Sequence, residues 1–172
     1  MPKLSAWILI SFLALSTHAD AAEQVYQEPD VFISEALGSR PQPKVLWLTM
    51  EMQAEVTKIL GHAPTQLRQR YWSDGSKSVW LLEEIGKEEP ITAGFVITNG
   101  RISHVRVLVY RESRGSEVRY PAFLKQFAGA TLASSNQLSQ TIDGISGATL
   151  SVSALERLAR VALYFDRTSR LP

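Results

Sequence analysis

The sequence predicts one α+β domain in which a mostly antiparallel sheet is flanked by helices. Its 172 residues are 45% hydrophobic and 20% charged, which is typical of a single globular domain. The dipeptides Asp74-Gly75 and Asn99-Gly100 each separate two apolar segments of strand length, as hairpin turns do. Helical patterns precede and follow these hairpins, and no internal repeat or linker divides the chain.

Two helices and a strand are expected before the hairpins. The segment 29–37 begins with proline and is followed by Gly38, which is the usual arrangement at the two ends of a short helix. The apolar segment 44–48 is predicted to be a strand. Thr49 then has the position of a helix cap, and we expect a second helix over 50–60.

The two hairpins supply the centre of the predicted sheet. Strands are expected over 68–72 and 77–85 in the first hairpin, and over 93–98 and 102–110 in the second. Three valines of the last strand alternate with other residues, namely Val105, Val107 and Val109. We therefore expect these valines to share one buried face, with the other face of the strand partly exposed.

The chain after the hairpins is predicted to be irregular first and helical at the end. The polar stretch 112–119 is expected to form a loop, and 121–127 a short helix that starts at a proline. The last helix is expected from about 147 to about 165, because apolar residues recur there at helical spacing. Its apolar stripe should pack on the sheet.

The first 21 residues resemble a secretory signal peptide. Lys3 gives a positive start, 6–15 is an apolar run, and Ala19-Asp20-Ala21 matches a cleavage site. We therefore expect export to the periplasm, with residues 22–172 as the mature domain. The alternative is an uncleaved membrane anchor, although the apolar run is shorter than the roughly 20 residues that span a bilayer.

The composition removes several classes of chemistry. The chain has no cysteine, which excludes disulfides, thiolate metal sites, iron–sulfur clusters and cysteine nucleophiles. Only His62 and His104 remain after the leader, so no metal site is expected. The formal net charge is +1 and the basic residues are dispersed, so no nucleic-acid partner is expected. Redox work would need an organic cofactor.

Residues 143–151, which we call the signature segment, carry the clearest indication of chemistry. The segment reads Asp-Gly-Ile-Ser-Gly-Ala-Thr-Leu-Ser and opens directly into the last predicted helix. Ser146 is predicted to be the N-cap, which leaves Thr149 with its hydroxyl on the first helical turn. Unpaired N–H groups and the positive end of the helix dipole would favour a phosphate at that position.

The signature segment resembles the flavinylation motif of the periplasmic FMN-binding domain family. That family includes flavin subunits of sodium-translocating NADH:quinone reductases and of Rnf-type electron-transport complexes. Its pattern is Asp, two residues, Ser or Thr, Gly, Ala, Thr, one residue, and Ser or Thr. The matching residues are Asp143, Ser146, Gly147, Ala148, Thr149 and Ser151. The resemblance implies FMN bound through a phosphoester on Thr149, installed by a flavin transferase that uses FAD and a metal ion.

The resemblance implies that residues 22–172 are an FMN-binding domain. It is strongest over 90–165, and upstream of the signature segment the match is looser. Glu112 and Ser113 match a Glu-Thr or Glu-Ser step that precedes a glycine-containing turn in the family, which implies that they lie at the flavin ring. The usual Pro-Gly-Leu-Gly run is replaced by Arg-Gly-Ser-Glu over 114–117.

The expected function is that of an exported flavoprotein that carries FMN on Thr149 and relays electrons in a cell-envelope redox chain. A cytochrome or a membrane reductase would be its redox partner, and no residue needs to be catalytic because the flavin supplies the redox chemistry. The alternative is a noncovalent FMN-binding protein, or an assembly or sensory subunit of a membrane reductase. A hydrolase that uses Ser146 or Ser151 is disfavoured, because no base stands in a recognisable triad motif.

Overall fold

The computed structural model describes residues 23–170, so the predicted signal peptide lies outside the described residues. Within this range, six strands form one antiparallel sheet in the order β1-β6-β5-β4-β3-β2. The strands are β1 (Gln24–Val25), β2 (Lys44–Trp47), β3 (Arg68–Ser73), β4 (Lys77–Ile85), β5 (Pro90–Thr98) and β6 (Arg101–Tyr110).

Four α-helices accompany the sheet within residues 23–170. They are α1 (Pro29–Leu37), α2 (Met50–Leu60), α3 (Pro121–Leu124) and α4 (Thr149–Ser169), with 3₁₀ turns at Ser116–Arg119 and Lys125–Phe127. The predicted α+β class with a single domain is confirmed. None of the helices in this range is long and apolar enough to cross a membrane.

The second hairpin forms as the sequence predicts. Asn99 and Gly100 both have positive φ, 52° and 71°, which a two-residue hairpin turn requires and which these residue types tolerate. Thr49 also caps α2 as expected, because its hydroxyl oxygen accepts a hydrogen bond of 3.3 Å from the backbone N–H of Met52.

A bulge in β6 changes which side chains reach each face of the sheet. Thr92 pairs with Val109, but Ala93 pairs with Val107, which leaves Leu108 as an extra residue in β6. The alternation reverses at that point, because a bulge adds one residue to a pattern of period two. The prediction that all three valines share a face is therefore wrong. Val109 packs with Leu108 on the other face.

Helices cover both faces of the sheet, rather than one as the strand pattern suggested. On the first face, α2 and α4 pack on the large core around Trp80, Phe95 and Leu155. On the second face, Phe32 and Ile33 of α1 pack on β4 and β5 and build a smaller apolar cluster. The burial on the second face explains why strands with so few polar residues are stable there.

The last helix extends beyond its predicted end because a buried carboxylate anchors it to β4. Asp166 is only 1% exposed and accepts a hydrogen bond from the hydroxyl of Ser78. Trp80 donates its indole N–H to the same hydroxyl oxygen at 2.8 Å, and Arg170 donates twice to Asp166 at 3.0 Å. The helix therefore continues to Ser169.

The contact between Gly94 and α1 gives a test of this packing. A Cβ at Gly94 would lie 2.4 Å from the ring of Phe32, so alanine must displace α1. We expect Gly94→Ala to lower the free energy of unfolding by about 1–3 kcal/mol in urea denaturation. Gly144→Ala is the matched control, because no heavy atom lies within 4 Å of its Cβ position. Equal losses in the two variants would contradict the packing of α1 on β5.

Candidate functional site

The signature segment forms a tight turn immediately before α4. The backbone N–H of Ala148 donates to the carbonyl of Ile145 at 3.0 Å, and Gly147 in the middle of this turn has φ of 82°. The N-cap of α4 is Ala148, with no side-chain hydrogen bond, and the helix begins at Thr149. The prediction that Ser146 caps the helix is wrong, because Ser146 occupies the turn and lies two residues before the N-cap.

Thr149 is exposed on the first turn of a long helix that has no side-chain cap. The first backbone hydrogen bond of α4 runs from Val152 N–H to the Ala148 carbonyl at 2.9 Å. The N–H groups of residues 149–151 precede this bond and have no acceptor within the helix. Since α4 is 21 residues long, these donors also lie at the positive end of a substantial helix dipole. The turn therefore suits a bound phosphate group.

Ser151 is buried and serves to hold the helix rather than to face solvent. Its side-chain oxygen lies 3.0 Å from the hydroxyl oxygen of Tyr110, and the two residues are 4% and 0% exposed. Tyr110 donates its hydroxyl proton to the carbonyl of Arg114, so the Ser151 hydroxyl donates to Tyr110. Burial raises the pKa of Tyr110, so the phenol remains protonated and able to donate at neutral pH.

Gly115 brings the loop after β6 into direct contact with the first turn of α4. A Cβ at this position would lie 2.9 Å from the side-chain oxygen of Ser151, 3.0 Å from the hydroxyl of Tyr110 and 3.3 Å from Cβ of Ala148. Its φ of 85° also belongs to the left-handed region that favours glycine. Only glycine allows this close approach, which places residues 112–115 beside the turn that presents Thr149.

Glu112 and Ser113 have different environments in this loop. Glu112 is 8% exposed, and one oxygen of its carboxylate accepts backbone N–H bonds from Lys87, Glu88 and Glu89, the last two at 2.8 and 3.1 Å. It therefore shapes the turn between β4 and β5 and fixes the start of the loop. Ser113 is exposed, so its side chain is free to contact a bound group.

Two buried residues hold the exposed part of the signature segment in place. Ile142 and Ala148 are 6% and 3% exposed, while Asp143 between them is exposed. The backbone N–H of Asp143 also donates to the side-chain oxygen of Gln126 at 2.8 Å. Sequence reasoning missed Gln126 and Tyr110, since both act through contacts between distant segments and belong to no motif.

Two clefts in the described part of the chain are lined by residues outside the signature segment. A cleft of about 320 Å³ is lined by residues 137–141 with Glu156 and Arg160, and a larger one of about 940 Å³ borders β2, β3 and β4. Neither is lined by the signature segment. Across residues 23–170, no cluster of three or more acidic or histidine side chains is arranged to hold a metal ion. A group bound at Thr149 would thus be held on an exposed turn.

A second group of ionisable side chains joins α2, β4 and α4. Glu84 is buried, and its carboxylate lies 3.1 Å from both Nε2 of His62 and the guanidinium of Arg157. The pKa of His62 is raised, first by its hydrogen bond to the Ala63 carbonyl and then by that to Glu84. The charged imidazolium can donate to both acceptors at once.

Residues 86–164 match the FMN-binding domain family. The fold is similar to the crystal structure of Shewanella oneidensis NqrC, with a TM-score of 0.53 and 14% sequence identity over 76% of this chain and 84% of that chain. At this identity the likeness concerns the fold. No curated protein sequence matches the chain.

The close approach of Gly115 gives a test of the site's geometry. We expect Gly115→Ala to lower the free energy of unfolding by about 1–3 kcal/mol more than Gly129→Ala, because only the first adds overlap to backbone strain. Gly129 is the matched control, with φ of 82° and no atom within 4 Å of its Cβ position. Amide hydrogen exchange at Val152, whose N–H makes the first hydrogen bond of α4, should rise only in Gly115→Ala. Equal losses of stability in the two variants would mean that the loop at Gly115 does not pack closely against α4.

The raised pKa of His62 predicts a pH-dependent contribution to stability. This contribution is present below the ordinary pKa of 6.5 and is lost as pH rises through the higher folded value. Because the side chain is 50% exposed, we expect only about 0.5 kcal/mol. Urea denaturation of wild type and His62→Gln at several pH values measures it. His104 is the control of opposite sign, since burial lowers its pKa. The same pH dependence of the unfolding free energy in His62→Gln and wild type would contradict this prediction.

Proposed function

Residues 86–164 belong to the FMN-binding domain family, and from this we propose that the chain is an exported flavoprotein that carries FMN covalently on Thr149 and relays electrons at the cell envelope. The observation that supports this attachment is the exposed Thr149 hydroxyl at the start of α4, beside N–H groups that have no helical acceptor. The fit of the signature segment to the family's motif supports the same residue.

Attachment requires a separate flavin transferase that uses FAD. The side-chain oxygen of Thr149 forms a bond to the phosphorus of the FMN half of FAD, the bond to the AMP half breaks, and AMP leaves. The hydroxyl proton passes to a base of the transferase, whose metal ion balances the charge on the phosphates. Thr149 is suited to this reaction because the exposed turn lets a second protein reach its hydroxyl.

Once the ester is formed, the residues of the site have holding and orienting roles. The N–H groups of residues 149–151 bind the phosphate oxygens, and the α4 dipole stabilises their negative charge. The loop that contacts α4 through Gly115 brings Ser113 and its backbone toward the ring. The flavin supplies the redox chemistry when it is bound, so the protein needs no catalytic residue.

The exposure of the site favours covalent over noncovalent binding. Small-molecule sites usually enclose most of the ligand in a cleft, but neither the cleft at residues 137–141 nor the one beside β2, β3 and β4 is lined by the signature segment. A covalent bond to Thr149 would retain FMN at a site that does not enclose it. It would also prevent dilution of FMN outside the cytoplasm, in agreement with the secretory pattern of residues 1–21. A cytochrome or membrane reductase partner can approach a ring on this open surface.

Replacing Thr149 tests the attachment directly. We expect wild-type protein co-expressed with a flavin transferase to gain the mass of one FMN phosphoester, and Thr149→Ala to gain none. The variant should remain folded, with a free energy of unfolding within about 1 kcal/mol of wild type, because the side chain is exposed. Intact-mass spectrometry and in-gel flavin fluorescence after denaturation measure the adduct.

Thr141→Ala is the matched control for this experiment. Its hydroxyl is also exposed but lies outside the signature segment, so its loss should leave attachment and stability unchanged. An FMN adduct on Thr149→Ala would refute the assignment. Peptide mapping would show whether the adduct had moved to Ser146 or Ser151.

A further inference from the structure

The β2–β3 ladder has a face that no helix covers. Leu46 and Tyr71 pack toward α2 and α4, so their neighbours in each strand point to the opposite face. On that face Val45 is opposite Arg70, and Trp47 is opposite Arg68. Helix α1 covers β4 and β5 but leaves this ladder open. We call Val45, Trp47, Arg68 and Arg70 the β2–β3 patch. All four are exposed, Trp47 by 65%.

The patch carries positive charge without a compensating acid. Neither β2 nor β3 contains an acidic residue. Among the described residues, Arg68, Arg70 and the nearby Lys44 take part in no ion pair, whereas Arg111 and Arg157 each bind a carboxylate. Two arginines therefore remain free to attract an anion beside a fully accessible indole.

Apolar side chains and an open cleft extend this surface. Met50 follows the end of β2 with 86% exposure, and Leu67 precedes β3 with 56%. Val45, Arg68 and Arg70 also border the cleft of about 940 Å³. The cleft contains two carboxylates, but Glu83 is paired with Arg111, and Glu84 with His62 and Arg157. They do not cancel the charge of the patch.

We propose that the β2–β3 patch binds the surface of an anionic lipid bilayer. Tryptophan favours the headgroup region, where its ring is buried and its N–H remains hydrated. Arginines placed opposite the apolar residues reach lipid phosphates, and each cation near such a surface contributes about 1 kcal/mol. Large apolar side chains that stand apart among cations suit a fluid bilayer, which adapts around each of them. This inference does not depend on the bound flavin.

Vesicle binding by the mature residues 22–172 tests the patch, because the apolar run over 6–15 would bind lipid by itself. We expect Arg68→Ser combined with Arg70→Ser to weaken partitioning onto phosphatidylglycerol-containing vesicles about 30-fold, which corresponds to about 2 kcal/mol. The matched control is Arg101→Ser with Lys125→Ser. It removes the same charge from exposed sites outside the patch and should leave partitioning within about twofold of wild type. Pure phosphatidylcholine vesicles should not distinguish the variants.

Quenching of tryptophan fluorescence by brominated lipids locates the contact. Within residues 22–172, Trp47 is exposed while Trp72 and Trp80 are buried. Trp47→Phe should therefore remove the fluorescence that brominated lipids quench, and the double arginine variant should weaken that quenching. Equal vesicle binding by the patch and control variants would overturn the proposal, as would unchanged quenching in Trp47→Phe. Self-association that Trp47→Ser abolishes, without vesicle binding, would assign the patch to a second copy of the chain instead.

Discussion

The contact between Tyr110 and Ser151 depends on the bulge at Leu108, and the site depends on that contact. If Leu108 were paired regularly instead of bulged, the alternation of β6 would continue and Tyr110 would point to the opposite face of the sheet. With the bulge, the phenol hydroxyl contacts both Ser151 and the Arg114 carbonyl. One backbone irregularity therefore joins the sheet, the loop after β6 and the first turn of α4 into a single unit.

This unit differs from the enclosed cofactor pockets that many proteins use. Its buried members, Tyr110, Gly115 and Ser151, act as supports, while Ser113 and Thr149 are on the surface. This division suits the proposed attachment at Thr149, which needs a hydroxyl that another protein can reach and supporting residues that stay fixed. Glu112 belongs to the supports, since its carboxylate holds the backbone of the neighbouring turn.

The sequence was sufficient for features that depend on local chemistry. Gly38, Thr49 and the Asn99-Gly100 pair each determine a helix end or a turn through their own backbone preferences, and these predictions are confirmed. The face of Val109 was not predictable, because a bulge arises from pairing with a second strand and leaves no mark in the apolar pattern. Ser146 was ambiguous for another reason, since serine before glycine suits both a helix cap and a turn.

The fixation of α4 at its two ends has a consequence for any group esterified to Thr149. Asp166 ties one end of the helix to β4, and Ser151 ties the other to β6, so the attachment point is fixed relative to the sheet. A tethered group then meets the nearby loop at an effective concentration on the order of millimolar, set by the tether and not by the surrounding solution. For the proposed flavin, weak contacts with residues such as Ser113 would suffice to orient the ring. The ring could leave these contacts briefly for a redox partner and still remain attached to Thr149.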